Sequence, residues 1–116
     1  MEPQPEFEVE ARREGGALVV APAGEIDMAT AGRVVDALRD GGAAHQVVVL
    51  DLRGVTFLDT SGVRLVVAEQ RRAQEEGHRF AVVRGPDTVQ RIFDISGLSD
   101  EPGLLIADPA EALEGA

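Results

Sequence analysis

Four residues, Asp59-Thr60-Ser61-Gly62, stand between two apolar runs in "VVVLDLRGVTFLDTSGVRLVVA" (47–68). An acid, two hydroxyls and a glycine at such a junction allow two kinds of chemistry. If the first run is a strand and a helix begins at Val63, the four residues lie at a helix N-terminus. Unpaired backbone amides and the helix dipole make that point receptive to negative charge. Asp59, Thr60 or Ser61 can then serve as a plain helix cap, the usual role of these residue types. Alternatively, one hydroxyl is a phosphorylation site. A phosphate there adds about −1.5 to −2 charge beside Asp59. The fold tolerates that anion, whereas a partner docking on the same edge meets repulsion and a desolvation cost. Residue types alone leave both readings open.

Other chemistry finds little footing. Ser61 has no G-x-S-x-G elbow around it and no histidine nearby. The chain has no Lys, so a P-loop is excluded. It has no Cys, which removes disulfides and thiolate metal sites. His45 and His78 are too few and too scattered for a metal centre and are expected to be exposed. No catalytic residue, metal or cofactor is expected, and the chain is better read as a kinase substrate than as a catalyst. Asp51 in "VVVLDLRG" invites comparison with a receiver-type phosphoacceptor. Such a domain needs an acidic pair after its first strand and a later Lys, and neither is present. Asp51 is therefore expected to be buried or structural.

The elements that must position the junction follow from patterning. "FEVEAR" alternates, placing Phe7, Val9 and Ala11 on one face of a half-exposed strand. "EGG" (14–16) is a turn and "ALVVAPA" (17–23) a more buried strand, so the two form a hairpin. Pro22 lacks an N–H, so that strand is expected to end, or to lie at an edge, near it. Ala31, Val34, Val35 and Leu38 fall at helical spacing, capped by Thr30 or Asp27 and stopped at Gly41-Gly42. "QVVVLDL" (46–52) is a strand buried on both faces. Val63 to Glu76 is a helix ending at Gly77, and "HRFAVVR" (78–84) a strand. "GPDTVQRIFDISGL" (85–98) is a helix with Pro86 in its first turn, an apolar stripe of Val89, Ile92 and Phe93, and a stop at Gly97. "GLLIA" (103–107) is a short strand, and "DPAEALEGA" a last helix with Asp108 as cap and Glu111 reaching back. The order is ββαβαβαβα: an α/β domain with a mostly parallel sheet of four to five strands, an N-terminal hairpin and four helices.

The totals agree with one domain. The chain has 116 residues, 44% of them apolar, and only four Phe supply aromatic rings. Residues 1–6 form a polar lead and 7–116 the domain. All eleven basic residues are Arg, and the formal charge is −10. A chain this acidic is repelled by DNA, RNA and anionic lipid, so its partners are expected to be proteins with basic or polar faces. "MEPQPEFEVE" carries Glu and Pro where a signal peptide needs cations and an apolar stretch. No run reaches the length of a membrane span, and the cytoplasm is the expected compartment.

"VVVLDLRGVTFLDTSGVRLVVAEQRRA" resembles the signature of bacterial anti-sigma factor antagonists of the STAS family: a strand, a D-S/T-S/T-G-hydrophobic motif, then a helix. "PAGEIDMATAGRV" (22–34) is similar to the family's G-E-L-D loop, and "RIFDISGL" (91–98) to its R-hydrophobic-F-hydrophobic-hydrophobic-S-G-L stretch. The likeness runs in register over roughly residues 7 to 113. It implies a partner switch. An unmodified antagonist binds an anti-sigma factor that is also a serine/threonine kinase, which frees a sigma factor. Phosphorylation of the antagonist ends the binding, and a phosphatase reverses it. By position the acceptor is Thr60, with Ser61 as helper or alternative. Asp27, Asp59, Gly62 and Arg64 share the partner-binding surface. Two departures stand out: Thr60 where many members have Ser, and Arg64 where Gly is common. Arg64 can pair with a phosphate or a partner, or simply be solvated. A scaffold module of a larger signalling assembly, sharing the fold and ignoring the chemistry of Thr60, is the alternative.

Overall fold

The computed structural model describes residues 7–40 and 46–114. The polar lead (1–6), the Gly41-Gly42 helix stop and His45 lie outside the described residues. The chain opens with a hairpin. Strand β1 (Glu8–Glu14) runs antiparallel to β2 (Ala17–Ile26), with Glu14 opposite Ala17 and Glu8 opposite Ala23. Helix α1 (Ala31–Arg39), β3 (Val47–Asp51), β4 (Gly54–Leu58), α2 (Thr60–Glu76), β5 (Arg79–Val83), α3 (Asp87–Ser96) and β6 (Leu105–Ile106) follow. Short 3₁₀ segments occupy Leu98–Asp100 and Pro109–Leu113.

The sheet is mixed, in the order β1-β2-β3-β5-β6, with β4 also paired to β2. Among the described residues it has six strands rather than four or five, because β4 was hidden in the sequence. Residues Ala17–Val20 of β2 pair in parallel with β3, and Ala23–Ile26 pair in parallel with β4. Pro22 therefore ends nothing: β2 runs past it to Ile26. It stands where β2 changes partner from β3 to β4, between the two parallel ladders, so its missing N–H falls outside both.

Among the described residues there are three α-helices, not four. The expected C-terminal helix is the five-residue 3₁₀ segment at Pro109–Leu113, too short to close an α-helical ladder of its own. Its local signals still act: the Asp108 side chain accepts from the Glu111 amide, and the Glu111 carboxylate accepts from Ala107 N–H. Helix α2 begins at Thr60 instead of Val63, and it ends on Gly77, whose φ of 79° suits a glycine C-cap. Ala11 is exposed rather than inward, and His78 is half-buried rather than exposed.

The core has two faces. On one, Val34 and Leu38 of α1, Leu65, Val66 and Ala73 of α2, and Val89 and Phe93 of α3 pack on Val20, Val48, Leu50, Phe80 and Val82. On the other, Val19, Val47, Val49, Ala81, Val83 and Ile106 are covered by Ala112 and Leu113. Strands β3 and β5 are thus enclosed on both sides, as unbroken apolar runs demand. No helix among the described residues is long and apolar enough to cross a membrane.

Candidate functional site

The parallel pairing of β2 with β4 brings two loops together. Ile26 and Leu58 are opposite each other at the strand ends, and the Asp59 amide donates to the Ile26 carbonyl at 3.1 Å. Asp27 and Asp59, 32 positions apart in sequence, are thereby neighbours at one end of the sheet.

Asp59 is the N-cap of α2. Its carboxylate accepts from the Ser61 amide at 2.7 Å, while its carbonyl accepts from Gly62 N–H at 3.0 Å and Val63 N–H at 3.2 Å. These bonds settle which residue caps: it is Asp59, and the Thr60 hydroxyl has no part in it. They also correct the expectation of unpaired amides, because three donors of the first turn are taken by Asp59 oxygens. Thr60 is exposed, Ser61 half-buried and Gly62 buried. A Cβ on Gly62 would come within 2.4 Å of Leu58 Cγ, closer than side chains approach. Gly62 thus lets the helix start press against the end of β4, beneath the site rather than on its surface. Arg64, one turn beyond Thr60, points outward and is exposed.

The facing loop is equally well held. The Asp27 carboxylate accepts from Ala29 N–H at 2.9 Å and Thr30 N–H at 3.1 Å. Thr30 Oγ1 accepts from Asp27 N–H at 3.0 Å and donates to the Glu25 carbonyl at 2.7 Å. Thr30 occupies the N-cap position of α1 without capping it by its side chain. At the tip stands Met28, 85% exposed. Sequence reading passed over Met28, because a methionine in an apolar-looking stretch gives no sign that it faces water. Phe57 of β4, 49% exposed beside Glu25, was missed with its strand.

Asp51 is buried and belongs to a different device. Arg53 Nη2 donates to its Oδ2 at 2.8 Å, and Arg53 Nε and the Arg53 amide both donate to its Oδ1 at 3.0 Å. Burial pushes the carboxyl up, but the hydrogen bonds and charge of Arg53 outweigh it and hold the carboxyl below the usual carboxylate range. A carboxylate so occupied does not offer an open phosphoacceptor, which removes the receiver reading.

A STAS domain is matched over residues 8–112, from β1 into the last 3₁₀ segment. The chain is 28% identical over 94 residues to the anti-sigma F factor antagonist of Paenibacillus polymyxa, spanning 79% of this chain and 80% of that one. The crystal structure of an anti-sigma factor antagonist from Mycobacterium paratuberculosis superimposes with a TM-score of 0.80 at 28% identity, covering 93% of this chain and 92% of that one. The anti-sigma factor antagonist SpoIIAA in its unphosphorylated form superimposes with a TM-score of 0.70 at 25% identity, covering 94% of each. These relatives are regulators by name rather than catalysts. With the match extending across nearly every element of the fold, the chain belongs to the STAS domain family.

Proposed function

We propose that this chain is an anti-sigma factor antagonist that works as a phosphorylation-controlled partner switch, with Thr60 as the acceptor. In its unmodified form it binds an anti-sigma factor serine/threonine kinase and so releases a sigma factor. ATP-dependent phosphorylation of Thr60 ends the binding, and a phosphatase restores it. The observation that carries this reading is the freedom of one hydroxyl: Thr60 is exposed at the first position of α2, and the capping is done by Asp59. A hydroxyl without structural duty can be modified without cost to the fold. Since Asp59 already answers the helix end, a new phosphate has no row of open amides to sink into. Its charge of about −1.5 to −2 then faces whatever docks there. Ser61, half-buried behind it, is the alternative acceptor.

The test is direct. The protein is incubated with an anti-sigma factor kinase of its own organism and ATP, and the modified residue is mapped by mass spectrometry. Phosphate on Thr60 is expected. Phosphate on Ser61 alone moves the assignment, and phosphate on neither removes the switch. By calorimetry, Thr60→Glu binds the kinase at least about tenfold more weakly than the unmodified chain, while Thr60→Ala binds like it.

A further inference from the structure

Helix α2 turns a ridge that carries two arginines to the solvent. Gly62, Leu65, Val66, Glu69 and Ala73 are its buried residues. At 3.6 residues per turn, Thr60, Arg64, Val67 and Arg71 line up on the opposite side, and all four are exposed. The ridge spans roughly 16 Å at 1.5 Å per residue. Val67, 40% exposed, sits between the two arginines. Neither Arg64 nor Arg71 makes an ion pair among the described residues, whereas Arg72, turned aside, meets both Glu69 at 3.4 Å and Glu76 at 2.8 Å. Among the nearby acids, the Asp59 and Asp27 carboxylates are bound to amides of their own loops, while Glu75, exposed one turn beyond Arg71, makes no ion pair with it among the described residues. Glu101 lines a shallow groove with Val67 and Arg71, yet it stays beyond ion-pair distance. Two free cations on one face are conspicuous in a chain of charge −10.

We infer that this ridge is a docking surface for the anti-sigma factor, and that the surface it takes is acidic around a small apolar contact for Val67. The inference rests on the switch reading and adds to it the chemistry of the partner. It departs from what the net charge implied, a partner with a basic or polar face. It also gives the switch an electrostatic content: a phosphate of about −1.5 to −2 on Thr60 offsets the Arg64 charge one turn away and turns that end of the ridge negative. The modified helix then repels an acidic partner at the Thr60 end and attracts it only through Arg71.

The test measures binding to the same kinase for the unmodified chain, Thr60→Glu, Arg64→Glu, Arg71→Glu, Arg71→Gln and Arg13→Glu. Arg13 is exposed on β1 and changes the total charge equally, away from the ridge. Each ridge reversal is expected to weaken binding about three- to tenfold, Arg71→Gln less, and Arg13→Glu less than about twofold. Raising salt from about 0.05 to about 0.3 M weakens the unmodified chain, and weakens Arg71→Glu less. Thermal melts of the variants stay close to that of the parent, since all four sites are exposed. If Thr60→Glu loses binding while both ridge reversals bind like the parent, the ridge proposal falls and the switch stands. If Thr60→Glu binds like the parent, the switch itself falls. Retention on phosphatidylserine vesicles that Arg71→Glu abolishes would assign the ridge to a lipid surface and overturn the partner proposed here.

Discussion

The Asp59 carboxylate holds the Ser61 amide at 2.7 Å, so the start of α2 depends on an acid and not on the hydroxyl beside it. Asp59→Ala is expected to lower stability by about 1 kcal/mol, the ordinary cost of a lost N-cap. Thr60→Ala should change it by no more than about 0.3 kcal/mol, since an exposed hydroxyl outside the cap is removed. Chemical denaturation of the two variants measures both. A larger loss for Thr60→Ala than for Asp59→Ala would hand the hydroxyl a structural role and undercut its freedom to be modified. Gly62 is the third residue with a determinate part. Because its added Cβ would meet Leu58 Cγ at 2.4 Å, Gly62→Ala should cost about 1–3 kcal/mol through overpacking. That loss should shrink in the Leu58→Ala background, where the obstructing branch is gone. Additive losses would place the strain elsewhere.

At the scale of elements, the junction of β3 and β4 governs the site, because β4 carries Asp59 to the end of β2. Arg53 clamps Asp51 at that junction with its side chain and its own amide, so the clamp fixes the turn between the two strands. The Asp51 carboxyl is depressed in the fold, and its contribution to stability is therefore present above the ordinary carboxylate pKa and lost as pH falls through the lowered folded value. Arg53→Ala is expected to cost about 1 kcal/mol at neutral pH, a small figure because the guanidinium is half-exposed. Melting curves of the variant and parent should converge only below the ordinary carboxylate range, once the depressed carboxyl has taken up its proton. A gap that persists unchanged in acid would mean that Arg53 acts through packing alone. This junction is also where the sequence was least legible. The alternation that marks a strand breaks in "GVTFL": Val55 and Leu58 are buried, whereas Thr56 and Phe57 are both exposed. A register shift at Gly24/Glu25 puts Phe57, not Thr56, opposite Glu25, so one residue is left over and the period of two is lost. The elements with unbroken periodicity, α1, α3, β3 and β5, were all visible in the pattern. The acid-hydroxyl-hydroxyl-glycine run was visible too. Which of its members caps was not, since that depends on a hydrogen bond only the folded turn creates.

At the scale of the whole molecule, net charge and local charge point in opposite directions. A total of −10 is a sum over every surface of the chain. A partner on α2 senses mainly what lies within a Debye length, about 8–10 Å at physiological salt. Arginines on the outward ridge therefore outweigh glutamates on the β1 edge in setting what docks, although the glutamates decide the total. The same distinction gives two opposite responses to salt. Self-repulsion among the excess carboxylates destabilises the compact state, and screening relieves it. The melting temperature of the isolated chain is expected to rise as salt goes from about 0.05 to about 0.3 M. Affinity for the anti-sigma factor should fall over the same range, because there the screened term is an attraction. Scanning calorimetry and titration calorimetry on one preparation read both slopes. If affinity rose together with the melting temperature, the docking energy would be governed by relief of repulsion, and the partner would be another acidic surface meeting an apolar patch rather than one drawn to Arg64 and Arg71.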